Sequence, residues 1–338
     1  MHLRWLPLLF ALSLMAQEAP RTGLKLSDFY LHDPWILADQ QTQTYYLYTS
    51  AGGRQTGGRS GVMTYKSKDL DTWEGPQVVF TVPDGLWATP SDGAWAPEVH
   101  LYRGKYYLFV TLHNNSALIK QPGPEWRPSY QGRDAQHHMR GTQIFASDSP
   151  EGPFQPLGNH PAPPEDFMTL DGTLWVEDGI PWMVYCHEWI QMLDGTVEAI
   201  QLTEDLSQSV GEPIYLFKGS DAPWLQDFQK VSKSQRIYVT DGPELYRTKT
   251  GRLLMLWSSY RQGQYMETVA YSLSGRLRGP WRQLEPIVAH DSGHGMLFHS
   301  FDGRLMLILH QPFRRAKGKL FEMEDTGDTV RIKRQLVY

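Results

Sequence analysis

Apolar and polar positions alternate along most of the chain, in a pattern that recurs five times. Each unit has a polar start, a short apolar strand, a turn with Gly or polar residues, and a second apolar strand. The five segments are DPWILADQQTQTYYLYTS from Asp33, APEVHLYRGKYYLFVT from Ala96, DGTLWVEDGIPWMVYC from Asp171, DGPELYRTKTGRLLMLWSS from Asp241 and HGMLFHSFDGRLMLILH from His294. Strand-like runs joined by short turns that contain Gly predict β-hairpins.

A second recurrent phrase follows each hairpin within further strand-like sequence. It reads SKDLDTWEGP at 67–76, ASDSPEGPF at 146–154, TEDLSQSVGEP at 203–213, SLSGRLRGPW at 272–281 and EMEDTGDTV at 322–330. Four strands per unit and five units predict an all-β fold, a five-bladed β-propeller over residues 28–338 with four antiparallel strands per blade. Two β-sandwiches are the alternative, but they would not predict the same hairpin phrase five times.

The charge balance excludes partners that need a strong positive surface potential. The chain carries 32 Lys and Arg against 37 Asp and Glu, a net charge of -5, and it has no basic block. Nucleic acid and anionic membrane surfaces are therefore not expected as partners. The single cysteine, Cys186, excludes an intrachain disulfide and a cysteine-based zinc site.

The N-terminus has the outline of an export signal. A short basic start is followed by an apolar run from Trp5 to Met15, and small Ala16 precedes polar residues. This order predicts a signal peptide over 1–16, a linker over 17–27 and an exported protein, either periplasmic or secreted. A short buried helix is the alternative. The run is too short to span a bilayer, so no membrane span is expected.

The residues that begin the first hairpins are expected to meet near the propeller axis, because inner strands line the central channel. They are Asp33, the segment 95–98, Asp171, Asp241 and His294. A single Asp beside Gly or Pro is more often a turn residue. The repeat aligns three Asp residues at one position, where their carboxylates would repel each other. Because this repulsion costs stability, the three carboxylates indicate a functional cluster.

The same phrases resemble glycoside hydrolase family 43, five-bladed propeller enzymes that cleave arabinofuranosides, xylosides and related galactosides. The matching motifs are HDPWI at 32–36, WAPEV at 95–99, LDGTLWVEDG at 170–179, TDGPELYR at 240–247 and SGHGMLF at 292–298. The resemblance implies an exported, inverting glycosidase that acts on an oligo- or polysaccharide of plant type, with arabinofuranosyl, xylosyl or galactosyl linkages. Two alternatives are a glycan-binding propeller without activity and a related retaining fructan-processing enzyme.

The resemblance also implies roles for single residues. Asp33 matches the base that activates water, and Asp171 matches the residue that raises the pKa of the acid. The acid itself stays open, because the family usually has Glu where this chain has Asp241. Glu188 in YCHEW is the second candidate and Glu244 the third. An inverting site separates its acid and base by roughly 6.5–9.5 Å.

Further positions complete the predicted site. His294 matches an axial histidine beside which many family members hold a hydrated cation, so the resemblance implies a structural Ca²⁺ in the channel, although the chemistry requires no cofactor. The alternative is a neutral histidine that is hydrogen-bonded inside the channel. The predicted substrate-binding residues are Trp95, Glu98, His187, Trp189 and His310. Aromatic faces stack on sugar rings, but propeller tryptophans also pack between blades.

Overall fold

The computed structural model describes residues 20–119, 129–130, 133–134, 137–227 and 237–337. The predicted signal peptide of residues 1–16 lies outside these ranges. Regular structure in the described part is nearly all β and forms five blade sheets, one per blade, and one small two-stranded sheet. The predicted five-bladed propeller is confirmed. No helix in the described ranges has the length and apolar character needed to cross a membrane.

The strands follow one another blade by blade along the chain. Blade 1 contains β1 (Arg21–Leu24), β2 (Trp35–Asp39), β3 (Thr44–Ala51), β4 (Gly61–Ser67) and β5 (Trp73–Thr81). Blade 2 contains β6 (Ala94–Tyr102), β7 (Lys105–Leu118), β10 (His138–Ser147) and β11 (Gln155–Pro156), and the small hairpin β8 (Ser129–Tyr130) and β9 (Arg133–Asp134) is inserted between β7 and β10.

The remaining blades have the same plan. Blade 3 contains β12 (Thr169–Glu177), β13 (Ile180–His187), β14 (Thr196–Leu202) and β15 (Ser209–Lys218). Blade 4 contains β16 (Asp241–Arg247), β17 (Leu253–Arg261), β18 (Gln264–Ser272) and β19 (Trp281–Gln283). Blade 5 contains β20 (Gly293–His299), β21 (Leu305–Gln311), β22 (Lys317–Asp325) and β23 (Val330–Leu336). The short helices are α1 (Gly53–Thr56), α2 (Trp189–Met192) and the 3₁₀ turns Gly219–Asp221 and Pro223–Asp227.

The core consists of five apolar clusters, each shared by two neighbouring blades. Strand β17 shows why. Its residues Met255 and Trp257 pack towards blade 3, whereas Leu254 and Leu256 pack towards blade 5. Successive side chains of a strand point to opposite faces, and both faces of a blade are covered, so the strand sequence is a continuous apolar run.

The ring is closed between blades 1 and 5 by side-chain packing and single hydrogen bonds. Strand β1 pairs with β5 on the outside of blade 1, so the predicted linker of residues 17–27 contains a strand. Across the closure, the amide of Leu31 donates to the carbonyl of Ala316 at 3.0 Å, and the amide of Phe301 donates to the hydroxyl of Tyr45 at 2.7 Å. Within the described residues, blade 5 takes all four strands from 293–336.

Candidate active site

Each blade begins its inner strand with one residue in the left-handed region, beside an interruption of the strand pairing. The interruption is a β-bulge in blades 2 to 5, where the register between the first and second strands shifts. The left-handed residues, with their φ angles, are Asp33 (47°), Ala96 (43°), Asp171 (57°), Gly242 (53°) and His294 (52°). A bulge bends its strand and redirects a side chain, and here it does so at the same place in blades 2 to 5.

This backbone equivalence corrects the sequence alignment of the carboxylates. Gly242, not Asp241, occupies the position of Asp33 and Asp171, and Asp241 lies one residue earlier. A glycine is required there, because a Cβ on Gly242 would lie 2.9 Å from the ring of His294. The three Asp residues therefore do not occupy one symmetry-equivalent position. Even so, their charges act on one another in the same channel.

Asp33, the predicted base, is surrounded by imidazoles. Its Oδ1 atom lies 2.8 Å from Nδ1 of His32 and 3.1 Å from Nδ1 of His294. Its amide N–H donates to Nδ1 of His310 at 3.3 Å. Burial would raise the pKa of Asp33, but His294 and His32 outweigh it and hold that pKa well below the usual range. The carboxylate is therefore ionised at neutral pH.

Asp171 accepts a backbone hydrogen bond from the neighbouring blade. The N–H of Gly242 donates to its Oδ2 at 2.9 Å, and its own N–H donates to the hydroxyl of Thr111 at 2.9 Å. Burial and the charge of Asp33 raise the pKa of Asp171 to about 6, against the opposing effect of His294. The carboxyl of Asp171 is thus held by a main-chain N–H of blade 4, and its backbone by a side chain of blade 2.

Asp241 has the opposite electrostatic environment to Asp33. Burial, followed by the charges of Asp171 and Asp33, raises the pKa of Asp241 well above its usual value. The hydroxyl of Tyr265 donates to Oδ2 of Asp241 at 3.1 Å. The pKa of Asp33 is therefore lowered and that of Asp241 raised, which are the directions that a base and an acid in one site need.

His294 lies at the centre of this negative charge. Burial would lower the pKa of His294, but Asp33, Asp171 and Asp241 outweigh burial and raise that pKa to about 9. Its Nδ1 atom is 3.1 Å from Asp33 and 3.8 Å from Asp171. The surrounding acidic groups suit a cation, and Ca²⁺ prefers oxygen ligands, so water would have to supply most of its coordination here.

A second group of metal-ligand type lies on the other side of Asp33. Nitrogen atoms of His32 and His310 and an oxygen of Asp33 are all within 4.8 Å of one another. The two imidazoles are stacked, with centroids 4.0 Å apart and planes at 22°. Stacked rings direct their nitrogen lone pairs side by side instead of towards one point, so this group does not fit a metal ion.

Glu188, the second candidate for the acid, is engaged elsewhere. Its carboxylate forms a buried ion pair with the guanidinium of Arg140, which also donates to Nδ1 of His113 at 3.0 Å. Burial raises the pKa of Glu188, and Arg140 and His187 oppose that effect. Burial is also the largest influence on the pKa of Asp241, but the charge that follows it is the like charge of Asp171 and not a partner of opposite sign. Glu188 therefore links blades 2 and 3 through Arg140.

The predicted substrate-binding residues divide into accessible and buried groups. Trp95 is 42% exposed, with Arg140 stacked 4.9 Å from its ring, and Trp189 is partly exposed at the start of α2. By contrast, three of the predicted residues are buried and contact other protein groups. Glu98 contacts His100, His187 contacts Glu198 and Gln191, and His310 stacks on His32. Only the two tryptophans present surface to a sugar in this conformation.

Sequence reasoning missed residues that act through others. His32 was part of the HDPWI motif, but no role was assigned to it, although it is the imidazole nearest to the Asp33 carboxylate. Arg140 and Tyr265 lie in no recurrent phrase and are separated from their partners Glu188 and Asp241 by 48 and 24 residues. No local pattern could have identified these two.

Comparison with solved structures gives a close match in fold. An endo-arabinase from Bacteroides thetaiotaomicron VPI-5482 superposes with a TM-score of 0.76 at 36% identity, over 90% of this chain and 98% of that one. An α-L-arabinofuranosidase from Lactobacillus brevis has a TM-score of 0.65 at 15% identity, over 92% of this chain and 100% of that one. At the lower identity, the likeness shows the fold alone.

Sequence comparison gives one short match and one long one. The extracellular endo-alpha-(1->5)-L-arabinanase 1 of Bacillus subtilis (strain 168) is 30% identical over 100 residues, which are 27% of this chain and only 29% of that relative. The model of glycosyl hydrolases family 43 matches residues 26–335, which include all strands of blades 1 to 5 except β1 and the last residue of β23. The chain therefore belongs to glycosyl hydrolases family 43, a family of enzymes that hydrolyse O-glycosyl bonds.

Proposed function

We propose that this protein is an exported, inverting glycoside hydrolase that cleaves arabinofuranosyl linkages in an arabinan-type polysaccharide. The observation that carries the proposal is that Asp33 lies within 3.1 Å of two imidazole nitrogens whereas Asp241 is buried beside the like charge of Asp171, so that their pKa values shift in opposite directions in one channel. A glycan-binding module would have no need of buried acids with opposed pKa shifts, because such shifts cost stability. The resemblance to two arabinan-cleaving enzymes supports the choice of sugar.

In the proposed reaction, Asp33 removes a proton from a water molecule, which attacks the anomeric carbon. Asp241 gives its proton to the glycosidic oxygen on the opposite face, and the bond to the leaving sugar breaks. Asp33 ends protonated and Asp241 ionised, and both return to their starting states by exchange with solvent. The like charge of Asp171 favours the protonated form of Asp241 before the reaction.

Binding and the predicted cation have supporting observations of their own. The exposed face of Trp95 offers a stacking surface for a furanose ring, and its edge is held by His113 at 4.1 Å between centroids. We also propose that a hydrated cation lies beside His294, supported by Asp33 and Asp171, whose carboxylate oxygens lie 3.1 and 3.8 Å from its Nδ1 atom. Export is supported by the basic, apolar and small-residue order of residues 1–16.

The stereochemistry of the product tests the proposal directly. Incubation with a short arabino-oligosaccharide, followed by proton NMR within the first turnovers, should show the inverted anomer appearing first. The retained anomer would instead identify the retaining alternative, with Asp33 as nucleophile. Binding of the oligosaccharide without turnover would identify the non-catalytic alternative. Asp33→Asn should reduce turnover at least about 100-fold in a protein that still folds, because it removes the base.

A further inference from the structure

Tyr265 connects the two halves of the site. Its hydroxyl donates to Oδ2 of Asp241 at 3.1 Å, and its ring stacks on that of His310, with centroids 5.6 Å apart and planes at 11°. His310 in turn accepts the amide N–H of Asp33. One side chain on β18 therefore contacts the proposed acid directly and the backbone of the proposed base through a single imidazole.

The Tyr265 ring is held firmly. It is 1% exposed, and Tyr260 and Phe313 pack against it with centroids 4.9 and 5.0 Å away. Gly293 gives it room, because a Cβ on that residue would lie 2.5 Å from the ring. A buried ring clamped on several sides keeps its hydroxyl at one place, so the donor offered to Asp241 is preorganised.

We propose that Tyr265 is a positioning residue for the acid, which occupies Oδ2 of Asp241 so that the transferable proton resides on Oδ1. A neutral carboxyl group has one oxygen that carries the proton and one that accepts hydrogen bonds. Since Tyr265 donates to Oδ2, the proton is left on the other oxygen. This inference rests on the proposed function of Asp241 as the acid.

Such an arrangement has a particular value for an aspartate. Its carboxyl reaches one methylene less far than a glutamate, and small displacements of a reacting group are costly. A fixed donor restricts the rotation of the short side chain and keeps its proton directed to one side. The hydroxyl of Tyr265 thus contributes to orientation and gives no proton to the substrate.

The test compares two substrates in variants of the full chain. One is an arabino-oligosaccharide, and the other is the same oligosaccharide with an aryl leaving group that needs little protonation. Tyr265→Phe keeps the ring and removes the hydroxyl. We expect its kcat on the plain oligosaccharide to fall about 10- to 100-fold, with KM within about twofold and the aryl substrate within about threefold. Equal losses on both substrates, or no loss, would overturn the inference.

Two further variants separate a specific role from a structural one. Tyr271→Phe is the matched control, because Tyr271 lies on the same strand about 20 Å further along, beside Arg252, and its kinetics should not change. Gly293→Ala should displace the ring of Tyr265 and produce the same selective loss as Tyr265→Phe, which keeps the inference testable if the Phe variant is unstable. Absence of that selectivity in a folded Gly293→Ala protein counts against the inference.

A double-mutant cycle identifies which proposal fails. If Tyr265 acts through Asp241, Tyr265→Phe should lower turnover by less than about twofold in an Asp241→Asn background. If Asp241→Asn alone loses both substrates equally, the proposed function of Asp241 is wrong. If Asp241→Asn is selective for the plain oligosaccharide but Tyr265→Phe behaves like Tyr271→Phe, only the role of Tyr265 is wrong.

Discussion

Replacing Glu188 with Gln should destabilise the protein without changing how its activity depends on the leaving group of the substrate. Glu188 and Arg140 are both at least nine-tenths buried, and they pair across blades 2 and 3. The substitution leaves the guanidinium buried without its counter-charge. Removing one partner of a buried ion pair costs about 3–5 kcal/mol, and because Gln still accepts a hydrogen bond we expect the lower end of that range.

The expected shift in melting temperature follows from the size of the propeller. For the roughly 310 residues that the family model spans, an unfolding entropy of about 2.1 cal/mol/K per residue gives about 0.65 kcal/mol/K. A loss of about 3 kcal/mol then lowers the melting temperature by about 5 °C. The same substitution in an exposed pair is the control. Glu324 pairs with Arg331 at 2.8 Å on the outer surface, and Glu324→Gln should lower the melting temperature by less than about 1.5 °C.

Differential scanning calorimetry measures both shifts, and turnover at 25 °C on the plain and aryl oligosaccharides completes the assay. Glu188→Gln should lower activity on both substrates by the same factor, since Arg140 also contacts Trp95. The reasoning is refuted if Glu188→Gln melts within about 1 °C of the parent and selectively loses the plain substrate. That result would assign the acid to Glu188 and make Asp241 a ligand of sugar hydroxyls.

Two further predictions concern buried charges, and a third concerns the close contact at Gly242. Asp171→Asn removes a like charge that raises the pKa of Asp241, so the pKa of Asp241 should fall and the alkaline limb of the kcat profile should move to lower pH. Burial raises the pKa of Glu267 from 4.5 to about 8, so between these pH values the folded state holds a proton that the unfolded state has lost. The free energy of unfolding should therefore fall as the pH rises from about 4.5 to about 8. Glu267→Gln should make the melting temperature less dependent on pH over this range. Gly242→Ala should lower both turnover and melting temperature, because its Cβ would lie 2.9 Å from the ring of His294.

The repeated hairpins predicted the blades because a blade is local in sequence: each strand pairs with the strand beside it, and a turn with Gly fixes the bend. The position of the bulge could not be predicted, because the motif does not show which of its residues takes the left-handed conformation. DGT at Asp171 and DGP at Asp241 therefore look alike although their backbones differ by one position. The pairing of Glu188 with Arg140 depends on how two blades face each other, which local patterns do not encode.

The way the ring closes has a consequence for inactivation by heat. Asp33 belongs to the first blade, and two of its three imidazole neighbours, His294 and His310, belong to the last. The described strands of the two blades share no sheet, and they are not joined by a connecting segment as the strands of successive blades are, so this boundary is a seam where the ring can open while every sheet stays intact. Opening the seam would move the carboxylate away from His294 and His310 and so take the site apart. The enzyme should therefore lose turnover on warming before its β-sheet signal declines.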